Sequence, residues 1–220
     1  MRLRLDPRLR AVLNEIRCHT LADIGCDHGR IAVGALLEGR AEKVLAIDKS
    51  AASLHKCKLL GEEAGVQDRL DCRTGDGFEP VKEGEADFAV IAGIGGREIV
   101  HILEKANYRG KLLLLPHQDS HELRRFLSGR YHIMKDFVIS CGGKYYCLIV
   151  ASQGGYNYSE AEIYFGRNLP QSDDYLNMLA AERVKLSKIV CGNHLTEGEI
   201  VQKWKEAEKL CQKYGISSNG

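Results

Sequence analysis

The sequence has no run approaching the roughly 20 continuous apolar residues of a membrane span, and its first residues alternate arginine with leucine instead of presenting the apolar core of a secretory leader. A cytoplasmic protein with no membrane partner is therefore expected. C-x-x-C pairs are missing too: the eight cysteines stand singly at 18, 26, 57, 72, 141, 147, 191 and 211. That spacing argues for reduced core thiols and against a metal site. There is also no excess of one charge, since 31 Lys and Arg against 30 Asp and Glu leave a net charge of +1. A polycationic nucleic-acid binder is excluded, and any RNA-binding surface must be a local patch. No internal repeat or low-complexity tract is present.

What the sequence does hold is alternation. Its 220 residues, 44% of them hydrophobic, suffice for one ordinary core with a small appendage. Leu5, Leu9, Val12, Leu13 and Ile16 recur at helical spacing and predict a leading helix over 6–17, with Arg8, Arg10 and Arg17 on its other face. Strands at 20–24, 43–47, 69–73, 86–92 and 111–115 then alternate with helices at 29–39, 50–64, 96–106 and 120–128. Such alternation predicts a parallel sheet, and the unbroken apolar runs at 88–92 and 112–115 suit strands buried on both faces. Extended runs at 132–139 and 144–151 flank Gly142-Gly143, the short connector of an antiparallel hairpin.

After Gly154-Gly155 the character changes to tyrosines, a break at Gly166 and Pro170, and two charged amphipathic helices. Ile200, Trp204, Ala207, Cys211 and Tyr214 are expected on one seam, facing Tyr175, Leu179, Leu186 and Ile189 of a helix over 172–191 in an antiparallel helical hairpin. The expected organisation is an α/β ligand-binding domain over 1–155 and a helical hairpin domain over 156–220. The tyrosines at 145, 146, 156, 158 and 164 read as packing and strand residues.

A strand ending in Asp23, then Gly25 and Gly29 before a helix, resembles the acidic-x-Gly-x-Gly-x-Gly signature of S-adenosyl-L-methionine sites, with Asp27 in the middle glycine's place. Glycines there allow close backbone approach to a ligand, and the helix amides point at its polar groups. An ordinary strand-to-helix turn uses the same glycines. Asp48, at the end of the second expected strand, suits two ribose hydroxyls or else a helix N-terminus beside Ser50. Asp76 in Gly75-Asp76-Gly77 suits an adenine amino group or a plain turn. Nicotinamide and flavin cofactors fit less well, because the loop lacks a complete G-x-G-x-x-G and Asp27 would repel a pyrophosphate.

The order Leu21-Ala22-Asp23-Ile24-Gly25-Cys26-Asp27-His28, Gly75-Asp76-Gly77 and Ile91-Ala92-Gly93-Ile94-Gly95-Gly96 resembles the TrmK family of bacterial tRNA methyltransferases, which methylate N1 of adenosine at tRNA position 22. With the leading helix, the 144–151 strand and the helical hairpin, the resemblance covers nearly the whole chain. It implies a Rossmann-like class I methyltransferase sheet ending in an antiparallel hairpin, S-adenosylmethionine as cofactor and tRNA as partner; a monomer is the expected state. Asp27 becomes the catalytic residue, accepting a hydrogen bond from the adenine N6 amino group and offsetting charge on the methylated ring. The alternative is that Asp27 caps the following helix or contacts the methionine amine.

The implied cofactor-binding set is Asp23, Gly25, Cys26, His28, Asp48, Lys49, Asp76, Gly77, Ala92 and Gly93, and the implied substrate-binding set is Arg8, Gly95, Gly96, Arg97, Pro116 and His117. The loop at 92–96 stands where amino-directed enzymes carry Asn/Asp-Pro-Pro-aromatic, and lacking it argues against N6 chemistry. One departure is evident: the family's Gln-Pro-Asn is here Leu115-Pro116-His117, followed by Gln118. Arg2, Arg4, Arg8, Arg10 and Arg97, with the lysines of the hairpin, are the candidates for RNA phosphates. Methyl transfer to a small molecule or protein, and a non-catalytic RNA-binding module, are the competing functions.

Overall fold

A computed structural model describes residues 3–167 and 172–216; Arg2 and Pro170 lie outside the described residues. Helix α1 (Pro7–Glu15) precedes β1 (Cys18–Ile24), α2 (Arg30–Leu37), β2 (Ala41–Asp48), α3 (Ala51–Glu63), β3 (Leu70–Thr74) and β4 (Phe88–Ala92). There follow α4 (Gly96–Lys105), β5 (Lys111–Leu115), α5 (Ser120–Leu127), β6 (Tyr131–Cys141), β7 (Lys144–Gln153), α6 (Glu160–Phe165), α7 (Asp173–Gly192) and α8 (Glu199–Lys213). The strands form one seven-stranded sheet in the order β3-β2-β1-β4-β5-β7-β6. The first five are parallel, and β7 runs antiparallel to both β5 and β6. The expected Rossmann-like sheet with a terminal antiparallel hairpin is the observed one.

Period-two alternation explains the continuous apolar strands. Val44, Ala46, Leu113 and Leu115 pack on the face covered by α1, α2 and α3, whereas Leu45, Ile47, Leu112 and Leu114 pack on the face covered by α4 and α5. Both faces are dry, so both phases of each strand are apolar. Gly142 and Gly143, at φ 58° and 72°, form the two-residue turn joining Cys141 to Lys144. Positive φ at both positions is what a tight hairpin with native strand twist requires.

Helix α1 begins at Pro7, capped by the Asp6 carboxylate accepting the Leu9 N–H at 3.0 Å. It ends at Glu15, short of the expected 17, because Ile16 is already extended toward β1. Helix α6 was not anticipated, although its signal is in the sequence: Ser159 accepts the Glu162 N–H and Glu162 reaches back to the Ser159 N–H, a capping box.

The C-terminal helices pair as expected, but their buried arc is rotated. Ile200 is 43% exposed and Val201 is buried in its place, while Val190 is buried in place of Ile189. Ala207, Cys211, Tyr175, Leu179 and Leu186 keep their inward positions. The cause is a second partner. Val138 and Cys147 of β6 and β7, with Tyr164 and Phe165 of α6, share one apolar cluster with α7 and α8. A helix buried against both a helix and a sheet edge turns more than one seam inward.

A buried ion pair fastens this region to the sheet. Arg124 of α5 donates through Nε and Nη2 to the two Asp136 oxygens of β6 at 2.8 and 2.9 Å, and both side chains are 1% exposed. Asp136 also accepts the Arg167 N–H at 2.9 Å. Gly166, at φ 86°, passes so close that a Cβ would stand 2.8 Å from Arg124 Nη2. Breaking such a pair leaves one unpartnered buried charge. Arg124→Met is expected to lose about 3–5 kcal/mol in urea unfolding, against no measurable loss for Arg97→Met, whose ion pairs are exposed.

Candidate functional site

The sheet order reverses between β1 and β4, which opens a crevice beyond the carboxyl ends of those strands. Loops following β1 to β5 converge there on a cavity of about 520 Å³. The loop after β1 is held by the end of β2: Gly25 and Cys26 donate their N–H groups to the Ile47 carbonyl at 2.8 and 2.9 Å. The Asp27 N–H donates to Asp48 Oδ2 at 2.9 Å. Gly25, Asp27 and Gly29 have φ of 73°, 48° and 73°. Asp27 therefore stands in a glycine position because the backbone there is left-handed, a region that aspartate tolerates better than most residues.

Gly25 and Gly29 serve different ends. Nothing lies within 4 Å of where a Gly25 Cβ would stand, which leaves that side open to a ligand. At Gly29 a Cβ would collide with Cys57 Sγ and lie 3.1 Å from the Cys57 Cα, so this glycine seats α2 against α3.

Asp23 is buried, and its Oδ2 accepts the Ala32 N–H at 3.1 Å in the first turn of α2. Burial, with Asp48 and Asp27 adding repulsion and only the Ala32 N–H opposing, pushes its carboxyl up to about 7. The capping work at α2 thus belongs to Asp23. Gly29 is the N-cap residue and makes no side-chain cap, while the Asp27 side chain is 72% exposed at the cavity. The helix-cap alternative for Asp27 is overturned. His28 Nε2 lies 3.0 Å from Lys56 Nζ and 3.4 Å from Asp27 Oδ1.

Asp48 accepts from Asp27 through Oδ2 and from Ser50 through Oδ1 at 2.8 Å. Each carboxylate oxygen keeps a second lone pair. Ser50 itself caps α3 by accepting the Ser53 N–H. Lys49 and Asp76 form an ion pair of 2.9 Å that joins the loops after β2 and β3. The pair holds the Asp76 carboxyl below its usual range and raises the Lys49 ammonium.

Ala92, Gly93 and His117 also line the cavity, as does Arg8 from α1. Gly95, Gly96, Arg97 and Pro116 do not. Gly96 donates its N–H to the Gln118 carbonyl at 2.9 Å and sits so close to Asp119 that no Cβ fits, which binds the loop after β4 to the loop after β5. Arg97 turns to α5, pairing with Glu122 at 3.2 Å and Asp119 at 3.7 Å. Arg10 pairs with Glu38 and Arg8 with Asp6. Much of the nominated basic surface is thus already paired within the chain.

The cavity also takes Leu9, Ile31, Ile94, Ile102 and Leu115, together with Arg30 and Glu98. The apolar ones share their periodicity with the core and carry no signal that would separate lining from packing. Glu98 could have been found only as an acid in a first helical turn.

Asp27, Asp48, Asp76 and Glu98, with Asp23 only partly ionised near neutral pH, outnumber Arg8, Arg30 and Lys49 and leave the lining acidic. It favours a cation bearing hydroxyl and amino groups and disfavours a pyrophosphate. Open glycine sides at Gly25 and Gly93 and the Asp48 acceptors fit S-adenosylmethionine.

Residues 5–149 match the family described as Methyltransferase domain. The chain is 34% identical over 158 residues to the tRNA (adenine(22)-N(1))-methyltransferase of Bacillus subtilis strain 168, a match spanning 69% of this chain and 66% of that protein. The solved B. subtilis M1A22 tRNA methyltransferase TrmK superposes with a TM-score of 0.82 at 28% identity, over 98% of this chain and 100% of that one. M. capricolum TrmK, solved with S-adenosyl-homocysteine, has the same fold, with a TM-score of 0.83 at 23% identity over 94% and 98% of the two chains.

Two outcomes follow from this geometry. Gly29→Ala is expected to lose about 1–3 kcal/mol of stability, whereas Gly25→Ala should stay folded and bind S-adenosylhomocysteine roughly tenfold or more weakly by calorimetry. For Asp23, a folded-state value above the unfolded one means that the folded chain still holds a proton the unfolded chain has released. Its contribution therefore falls as pH rises from the ordinary carboxylate range to about 7. Urea unfolding at intervals between pH 4 and 8 should show a flatter stability profile for Asp23→Asn than for the wild type.

Proposed function

The chain belongs to the methyltransferase-domain family, on its TrmK branch, and from that premise we propose that it transfers the methyl group of S-adenosylmethionine to N1 of an adenine in tRNA, at position 22. The observation carrying this reading is the acidic cavity at the β1/β4 reversal with the exposed Asp27 carboxylate at its edge. The tRNA and the position come from the relatives' activity.

S-adenosylmethionine supplies an electrophilic methyl group on a sulfonium. Asp48 is assigned to its ribose hydroxyls, Asp76 with Lys49 to the adenine end, and Asp23, Gly25, Cys26, His28, Gly77, Ala92 and Gly93 to the remaining wall. Adenine N1 carries an in-plane lone pair, so the protein's task is alignment more than deprotonation. The target base has to leave its stack to enter the cavity. Asp27 accepts the N6 amino hydrogen bond and offsets the positive charge the ring acquires. With tRNA as substrate the place of action is the cytoplasm, and we assign a monomer to the task.

Among the described residues no helix is long and apolar enough to cross a membrane. Residues 156–220 are assigned as a second, helical unit that grips tRNA.

Incubation with unmodified tRNA, followed by nucleoside mass spectrometry, should yield 1-methyladenosine. 6-Methyladenosine or a methylguanosine would reject the assignment, and failure to bind S-adenosylhomocysteine would favour the non-catalytic module. Asp27→Asn keeps a residue that tolerates positive φ, and should lower kcat about 10²-fold while leaving cofactor affinity nearly unchanged.

A further inference from the structure

Along the cavity lining, helix α1 meets the loop after β5. Arg8 Nη1 lies 3.2 Å from His117 Nε2, a contact between residues 109 apart in the chain. A guanidinium has only donors. His117 Nε2 is therefore the acceptor, the ring is neutral, and its single proton sits on Nδ1. Burial, then Arg8 and Lys144, hold the imidazole below its ordinary value, with Asp6 alone opposing. Arg8 is itself fixed, donating to Asp6 at 2.7 Å and lying 4.7 Å over the Tyr146 ring. The His117 ring meets Tyr146 edge-on at 5.9 Å. The tautomer is thus set by a neighbour that cannot reverse its role, on a ring that lines the cavity. Nδ1–H has no partner among the described residues.

Among the polar groups of the cavity are therefore an acceptor, the Asp27 carboxylate, and a donor, His117 Nδ1–H. Adenine shows the complementary pair along one edge: the N6 amino group donates and N7 accepts. Engaging that edge leaves N1 free. Guanine offers two acceptors there, O6 and N7, and its O6 would face the Asp27 charge. We propose that Asp27 and His117 together read the N6/N7 edge of the target adenine, with His117 donating to N7, and that this pair selects adenine over guanine while leaving N1 exposed to the methyl group. The proposal rests on the methyltransferase reading above. It assigns His117 a positioning role and no proton transfer.

The test is a single-turnover comparison of tRNA carrying adenosine or 7-deazaadenosine at the target position, using the full chain. Replacing N7 by C–H makes N1 more basic, so a slower reaction cannot come from a weaker nucleophile. Wild type is expected to methylate the 7-deaza substrate roughly 10- to 100-fold more slowly, the effect of leaving the donor unmatched. His117→Phe should be slow on both substrates and nearly indifferent to the replacement, because the two changes remove the same contact. Should that variant fail to fold, His117→Asn, which retains a side-chain N–H, should keep the discrimination.

Equal wild-type rates on the two substrates would overturn the proposal. So would an undiminished 7-deaza penalty in His117→Phe, or lost discrimination in a folded His117→Asn. Absence of 1-methyladenosine with wild type and ordinary tRNA would instead reject the enzyme assignment itself, so the two failures are distinct.

Discussion

The bond from the Asp27 amide to the Asp48 carboxylate is the constraint around which the site is built. It holds a non-glycine residue at positive φ, a conformation costing on the order of 1 kcal/mol or more. A hydrogen bond to a charged acceptor contributes about 1.5–3 kcal/mol. The two nearly offset, so the bond fixes the loop's shape without adding much stability. With Gly25 and Cys26 both donating to Ile47, the first half of the loop is held by the last two residues of β2. The loop after β1 and the acid after β2 are therefore one unit, and moving either displaces the wall of the cavity.

This unit creates an electrostatic problem that the rest of the site answers. Asp27, Asp48, Asp76 and Glu98, with a partly ionised Asp23, outnumber the basic residues around one cavity, and such a lining disfavours a polyanion. A nucleobase, however, brings no charge until it is methylated. Arg8 and Arg30 line the same cavity as the acids. The Lys49–Asp76 pair relieves part of the repulsion within the cavity.

Far from the cavity, the fully buried Arg124–Asp136 pair does for the C-terminal helices what Asp48 does for the loop. It converts a chain crossing into a fixed junction among α5, β6 and the residues after α6. Nearby exposed pairs, such as Arg97 with Glu122, are solvated and contribute little. Two neutral partners of suitable shape would stabilise that junction as well. The Gly166 backbone passes so close to both charged groups that a side chain at that position would press on them.

The sequence by itself determined the order of elements, the parallel sheet with its antiparallel close, and the glycine turn at 23–29 that borders the cavity. Each of these is written locally, in a strand period, a glycine pair or an acid beside a glycine. Even the unanticipated α6 was legible, through its Ser159 and Glu162 capping box, though six residues are too few to show a helical period. Tertiary structure alone decided that Gly96 and Arg97 pack between loops away from the cavity, that Val201 and not Ile200 turns inward, and that Arg8 meets His117 across the whole parallel domain. The reason is physical. Periodicity says which residues share a face, but which face meets a neighbour depends on how strands register and helices dock, and those contacts join residues that the chain itself keeps far apart.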